Sequence, residues 1–246
     1  MLFKELNKFK DVVFTEKGHT YTINGKDATS VTTFIGKFKK PFNKEFWAHR
    51  SAKKENTTVE KILDKWDSIS TRACNKGSKF HAFAENYINN KILPNTIYDF
   101  DLDKEAYDKI ESHFLKFYEN SKENLIPISS ELCVGSSKLG ICGMVDQLYY
   151  SVPLGGLVIF DWKTNKRLNY NSKFDNWMLD PISHLPECEF TTYSLQLSLY
   201  KYIIELETEL KIEDCYIVWF NEKNDSYRLI QCADYKKEII NMLNYN

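Results

Sequence analysis

Three β-patterned runs stand in a row at 126–134, 141–150 and 157–163. The turns between them, 135–140 and 153–156, carry Gly135, Gly140, Pro153 and Gly156. Connections this short join neighbouring strands only in antiparallel order, because a parallel return needs a crossover of a dozen or more residues. The runs therefore predict an antiparallel meander, and the rest of the chain has to be arranged about it. Upstream, 19–23 alternates in polarity, Asn24-Gly25 is a hairpin signal, and 28–35 can return as a strand. Phe42, Phe46 and Trp47 have helical spacing within 41–50. Thr57 or Thr58 can cap a helix through Val59, Ile62, Leu63 and Trp66; 72–90 reads as a second helix, and 104–119 as a third, with Ala106, Ile110, Phe114 and Phe117 on one side. Downstream, 165–190 has no clear period and is long for a loop. A helix is expected over 191–210 and strands over 215–220 and 227–232 about the turn 221–225. A last helix over 235–243 has Asp234 as its cap. The expected fold is α/β: one domain over 1–246, with a hairpin and helical part (1–125) that walls or arches over a mixed, helix-flanked sheet core (126–246).

Composition narrows the function classes. The hydrophobic fraction of 43% and the aromatic fraction of 15% are enough for a packed core and argue against disorder. Lys+Arg 33 against Asp+Glu 34 gives a net charge of −1, which excludes a protein that holds nucleic acid by bulk positive charge but leaves a local basic groove open. Cys74, Cys133, Cys142, Cys188, Cys215 and Cys232 contain no C-x-x-C pair, so neither a zinc ribbon nor a redox motif is expected. No apolar run approaches the roughly 20 residues of a membrane helix, and the N-terminal MLFKELNKFKDVVF has no secretory h-region. A cytoplasmic protein without membrane association is expected.

The chemistry sits at the end of the third run, Val158-Ile-Phe-Asp161-Trp-Lys163-Thr164. Residues i and i+2 of a strand share a face, so Asp161 and Lys163 point the same way. One strand earlier, Gly143-Met-Val-Asp146 also leaves an apolar segment. If the two strands pair, both carboxylates converge, which is costly without a cation. Hard oxygen ligands suit Mg²⁺ or Mn²⁺, and a lysine beside them can orient or deprotonate water or balance transition-state charge. That set matches metal-assisted phosphodiester hydrolysis. Gln196 and Tyr200 share a helix face, as do Gly77, His81 and Glu85. His81 can supply a nitrogen ligand and Gly77 a close backbone approach. Glu131, ahead of the first meander turn, is a further candidate acid.

The order G-x-x-x-H (Gly77, His81), G-x-x-D (Gly143, Asp146), I-x-D-W-K-T (Ile159 to Thr164) and Q-x-x-x-Y (Gln196, Tyr200) resembles the RecB-like branch of the PD-(D/E)XK nuclease superfamily, over about 71–205. The resemblance implies Asp146 and Asp161 as metal-binding acids, Lys163 as catalytic lysine and His81 as the additional metal ligand. It also implies the Trp162 carbonyl as a further ligand, and Gln196 and Tyr200 as site-lining residues that contact DNA. Ser30-Val-Thr-Thr-Phe-Ile, a Trp-containing helix and Gly77 to His81 are similar to mitochondrial genome-maintenance exonucleases and phage-encoded relatives, which act on single-stranded DNA. Members with an iron–sulfur cluster carry three clustered C-terminal cysteines; Cys188, Cys215 and Cys232 are scattered, so no cluster is expected. The resemblance thus implies a Mg²⁺- or Mn²⁺-dependent DNA exonuclease favouring single strands or frayed ends, with replication or recombination proteins as partners.

Other side chains divide between roles. Lys37, Lys39, Lys40, Arg50, Lys53 and Lys54 alternate with Phe38, Phe42, Phe46 and Trp47, which suits a single strand or equally a solvated face over a core. Lys166 and Arg167 directly follow the Asp-x-Lys strand and are expected on phosphate. His184 and Cys188 form an isolated i,i+4 pair, and His19, His49 and His113 read as structural or exposed. The chain has no G-x-S-x-G elbow, Walker loop or G-x-G-x-x-G. A double-strand exonuclease of recombination type and a non-catalytic DNA-binding module on a nuclease fold are the alternatives.

Overall fold

The computed structural model describes residues 1–90, 104–172 and 175–245; residues 173–174, within the long connection at 165–190, lie outside them. The meander forms with strands Leu125–Ser136, Ile141–Ser151 and Gly156–Lys163, antiparallel throughout. Counted from the N-terminus these are β4, β5 and β6. Before them come β1 (Val12–Thr15), β2 (Thr20–Ile23) and β3 (Lys26–Ser30); after them come β7 (Ile212–Trp219) and β8 (Arg228–Gln231). The helices are α1 (Leu2–Leu6), α2 (Val31–Gly36), α3 (Lys44–Glu55), α4 (Val59–Ile88), α5 (Lys104–Ser121), α6 (Glu189–Glu207) and α7 (Lys236–Leu243). The result is a mixed sheet of eight strands in the order β1-β2-β3-β5-β6-β7-β8, with β4 beside β5 and helices on its faces. None of the described helices is long and apolar enough to cross a membrane.

Local chemistry explains most boundaries. Asn24 and Gly25 both have positive φ, 52° and 73°, as a two-residue hairpin turn demands. The strand expected over 28–35 instead stops at Ser30, whose hydroxyl accepts the Thr33 N–H and caps α2. Asn43 caps α3 and Thr58 caps α4 in the same way. The two helices expected between 57 and 90 are one helix. Its span from 67 to 75 is exposed on every side, so it has no apolar period to read, yet no glycine or proline breaks it. The last helix starts at Lys236 with Tyr235, not Asp234, at the cap position; Asp234 stands two residues before the helix, and its carboxylate accepts the Lys236 N–H at 3.0 Å.

The two faces of the sheet are packed differently. One carries an aliphatic layer in which Ile159 and Ile217 of the sheet meet Leu195, Leu199 and Ile203 of α6. The other carries an aromatic layer, where Phe80 of α4 and Phe114 and Phe117 of α5 enclose Phe160, Trp162 and Phe220. Strand β6 feeds both: Val158, Phe160 and Trp162 face the aromatic layer, and Leu157 and Ile159 the aliphatic one. Asp161 and Lys163 continue the second series. A small third core of Ala48, Ala52 and Ile62 joins α3 to the first turns of α4.

Candidate active site and metal centre

The site grows from a division along one edge of β5. Its other edge pairs with β4 from end to end, but this edge pairs with β3 at residues 141–142 and with β6 only at 147–151. The β5–β6 ladder stops at Gln147↔Phe160. One step further, Asp146 and Asp161 would be partners; there β6 stays paired with β7 and has left β5. The Trp162 N–H freed from the ladder is taken by Asp146, whose Oδ2 accepts it at 2.7 Å. A side chain thus completes a strand pair that the backbone abandons, so the buried N–H has an acceptor. Both carboxylates are buried, with 8% of Asp146 and 1% of Asp161 exposed, and both stand at the mouth of the gap.

His81 reaches this point from α4 across the aromatic face. Its Nδ1 lies 3.5 Å from Oδ1 of Asp146 and 3.6 Å from Oε1 of Glu131, and its Nε2 lies 3.2 Å from the carbonyl oxygen of Trp162. Glu131 sits in β4 between the pairs Ser130↔Gln147 and Leu132↔Val145, which places it across from Asp146. Its φ is 48°, a left-handed conformation that a glutamate inside a strand adopts only where surrounding structure imposes it. Ligand atoms of His81, Glu131 and Asp146 all lie within 4.8 Å of one another, the only such group among the described residues. The structure therefore brings Glu131 to the centre. Asp161 stands beside that group as the ion-pair partner of Lys163, and the Trp162 carbonyl meets His81.

Lys163 is held from two sides. Its ammonium pairs with the Asp161 carboxylate and lies 4.8 Å from the centroid of the Tyr193 ring on α6. Tyr193 precedes Gln196 by three residues and Tyr200 by seven, so one α6 face carries all three. That spacing was the available signal for Tyr193, which motif reading passes over. Gln196 donates to the Tyr200 hydroxyl at 3.2 Å. Tyr200 is buried against Gly143, where a Cβ would come within 2.6 Å of the ring. The G-x-x-D glycine is thus the seat of the tyrosine of Q-x-x-x-Y. Gly77 has no such duty: a Cβ there would meet nothing nearer than the Thr164 hydroxyl at 4.0 Å.

The electrostatics follow from burial and proximity. Desolvation raises the pKa of Asp146, against the opposing pull of His81 and Lys163. Desolvation also lifts Asp161 to about 6, with Lys163 opposing and Asp146 adding to the rise. Burial would depress the His81 imidazole, but Asp146 and Glu131 outweigh it and raise His81 to about 9. Burial likewise works against the charge of Lys163, yet Asp161 and Asp146 hold its pKa above the usual lysine range. The tyrosines Tyr193 and Tyr200 stay neutral, both pushed up by burial.

The donor set fits a divalent cation. Two carboxylates and one imidazole converge, with His81 Nδ1 3.5 Å from an Asp146 oxygen and 3.6 Å from a Glu131 oxygen. Oxygen-rich ligation with a single nitrogen suits Mn²⁺ or Mg²⁺. A bound cation would take the place of the Nδ1 proton, while Nε2 donates to the Trp162 carbonyl and keeps the ring oriented.

A cleft of about 480 Å³ opens beside this centre, between α4 and the segment after β6. Arg72 and Lys76 line it from α4, and Lys163 and Lys166 from the sheet side. Lys76 pairs with Glu222 at 3.5 Å, tying α4 to the β7–β8 turn. The segment carrying Lys166 and Arg167 is anchored by that turn. The buried Asn221 donates to the carbonyls of Asn165 (3.1 Å) and Lys166 (3.0 Å), and Trp219 Nε1 donates to the Asn165 carbonyl at 2.7 Å. Lys166 and Arg167 are exposed, and only Lys166 lines the cleft. Glu85 lies one turn beyond His81, half-buried. His184 pairs with Glu238 on the surface, and the Cys188 thiol meets the Thr191 hydroxyl, so these two serve separate contacts.

No family model and no curated protein matches the chain. Among solved structures, the crystal structure of SSO0001 is similar at 12% identity and a TM-score of 0.33, covering 98% of this chain and 80% of that one. A likeness this distant carries no argument about the site.

Proposed function

We propose that the protein is a metal-dependent DNA exonuclease with a PD-(D/E)XK core, preferring single-stranded DNA or frayed ends. The observation that carries the reading is the abandoned β5–β6 pairing. It leaves Asp146, midway along β5, beside Asp161 and Lys163 at the end of β6, with His81 and Glu131 closing the acid cluster. His81, Glu131 and Asp146 would hold the cation. When bound, it supplies Lewis-acid stabilisation of the phosphate and activation of water. Lys163, paired with Asp161 and covered by Tyr193, remains an ammonium. Its part is therefore to donate to the attacking water or the scissile phosphate and to balance developing negative charge. Asp161 fixes where that ammonium points. Tyr200 and Gln196 back the acids from α6, and the cations of the cleft receive the polyanionic backbone.

The test is hydrolysis of an end-labelled single-stranded oligonucleotide with Mn²⁺ or Mg²⁺. Stepwise shortening from one end is expected, abolished by EDTA. Lys163→Ala should lower kcat by roughly 10²–10³-fold, the scale seen on removal of one transition-state donor. Cleavage by Asp161→Ala and Lys163→Ala at the wild-type rate would overturn the assignment.

A further inference from the structure

We propose that α3 and the exposed span of α4 form a landing track for single-stranded DNA, running from solvent-facing aromatics to the His81 cluster. The inference rests on the nuclease reading and assigns that site the surface by which it captures an unpaired strand.

Helix α3 is built inside out. Its buried side consists of the small residues Ala48 and Ala52, packed on Ile62. Its large side chains face water: Phe46 is 56% and Trp47 39% exposed, and Phe42, just before the helix, is 67% exposed. Phe46, Trp47, Arg50, Lys53 and Lys54 fall on one face by helical spacing, and the Arg50 guanidinium lies 5.4 Å from the Trp47 ring centroid. The segment 37–55 holds seven Lys or Arg against Glu45 and Glu55, in a chain whose net charge is −1. Lys44 is committed to Asp67 and Lys39 faces Glu187 and Glu189, and the excess of the remaining five cations over Glu45 and Glu55 is still positive.

Exposed aromatics interleaved with cations match an unpaired strand, which offers base faces for stacking and phosphates for charge. A duplex hides its base faces. An apolar protein surface would cover the rings and leave the positive excess without a counterpart. The track is continuous with the site. Phe42 stands 6.4 Å from Trp66, ring centre to ring centre, and from Trp66 one face of α4 carries Ile69, Ala73, Gly77 and His81. Ile69, Ala73 and Gly77 line the cleft, and the last two leave its floor low. Trp66 and His81 are 15 positions apart on one helix, about 22 Å at about 1.5 Å per residue. At about 3.4 Å per stacked nucleotide this is about six nucleotides.

The experiment is fluorescence anisotropy in EDTA, with the full chain and labelled oligo(dT) of increasing length, followed by cleavage of the same lengths with Mn²⁺. Affinity should rise up to about six to eight nucleotides and then level off. The double substitution Phe46→Ala/Trp47→Ala should weaken binding of a twelve-nucleotide strand by about 10-fold or more, within the range for losing base stacking, and flatten the length profile. Trp47→Phe should retain most of the wild-type affinity. Both positions are exposed, and an unchanged circular dichroism melt confirms that the fold is intact. Wild-type affinity in the double variant, or equal competition by a blunt duplex, overturns the track. Intact cleavage with a flat length profile sinks the track alone. Length-dependent binding by a wild type that cleaves nothing sinks the nuclease reading and leaves the track standing.

Discussion

At the scale of single residues, two glycines that look alike in the sequence have opposite duties. Gly143 is filled by Tyr200, and a methyl group at that position would meet the ring at 2.6 Å. Gly143→Ala should therefore cost about 1–3 kcal/mol, the range for overpacking a close-fitted interior, and lower the melting temperature. The carboxylates make a second residue-scale prediction. Asp161 has its pKa raised in the folded chain to about 6 from an ordinary 3.8. A carboxyl with a raised folded pKa stabilises the fold fully below its unfolded value, and that contribution is lost as pH rises through the folded one. In metal-free protein, the stability of the wild type relative to Asp161→Asn should fall between about pH 4 and 6 and be flat above. Thermal melts across that range in EDTA check it. Part of this geometry was legible in the sequence: strand alternation puts Asp161 and Lys163 on one face, where they pair, and the expected approach of His81 to Asp146 is found. Glu131 was named only as a further candidate acid, since its place depends on a left-handed backbone in β4 that no local pattern announces.

At the scale of elements, α4 is the structural link between arm and site. Its first turns pack on α3, its middle is exposed, and its last turns enter the aromatic layer through Phe80, Ala84 and Ile88. A sequence reading divides it in two because hydrophobic period reports burial, and the middle touches no core. Gly77 lies within this helix without a close neighbour. Gly77→Ala should accordingly stabilise the protein by about 0.4–1 kcal/mol, through reduced freedom of the unfolded chain and better helix propensity. A higher denaturation midpoint at unchanged slope is the expected result; a lower one would mean that the backbone at 77 is pressed more closely than the 4.0 Å to Thr164 indicates.

At the scale of the whole molecule, charge is segregated rather than absent. The chain is nearly neutral, yet acids gather where β5 and β6 part, while Arg72 and Lys166 edge the cleft beside the Lys76–Glu222 pair and the excess over 37–55 extends it. Binding of a single strand should therefore be strongly salt-dependent, with a logarithmic slope of at least about −2. That corresponds to three or more neutralised phosphates at about −0.7 each. A titration of oligonucleotide affinity against salt measures it, and a slope near zero would deny the cleft an electrostatic role.

Short-range chemistry specifies a first group of features. The meander follows from turn lengths, the hairpin from Asn24-Gly25, the start of α4 from the Thr58 cap, and the shared face of Asp161 and Lys163 from strand alternation. Tertiary structure alone decided the rest. It divided the edge of β5 between β3 and β6, so that Asp146 caps an open strand pair. It drew Glu131 in from β4, set Tyr193 over Lys163, and turned the aromatics of α3 toward solvent. These features depend on which surfaces meet across long stretches of chain. Local propensity and periodicity hold no record of that choice, because it is made by packing and by the pairing of buried polar groups.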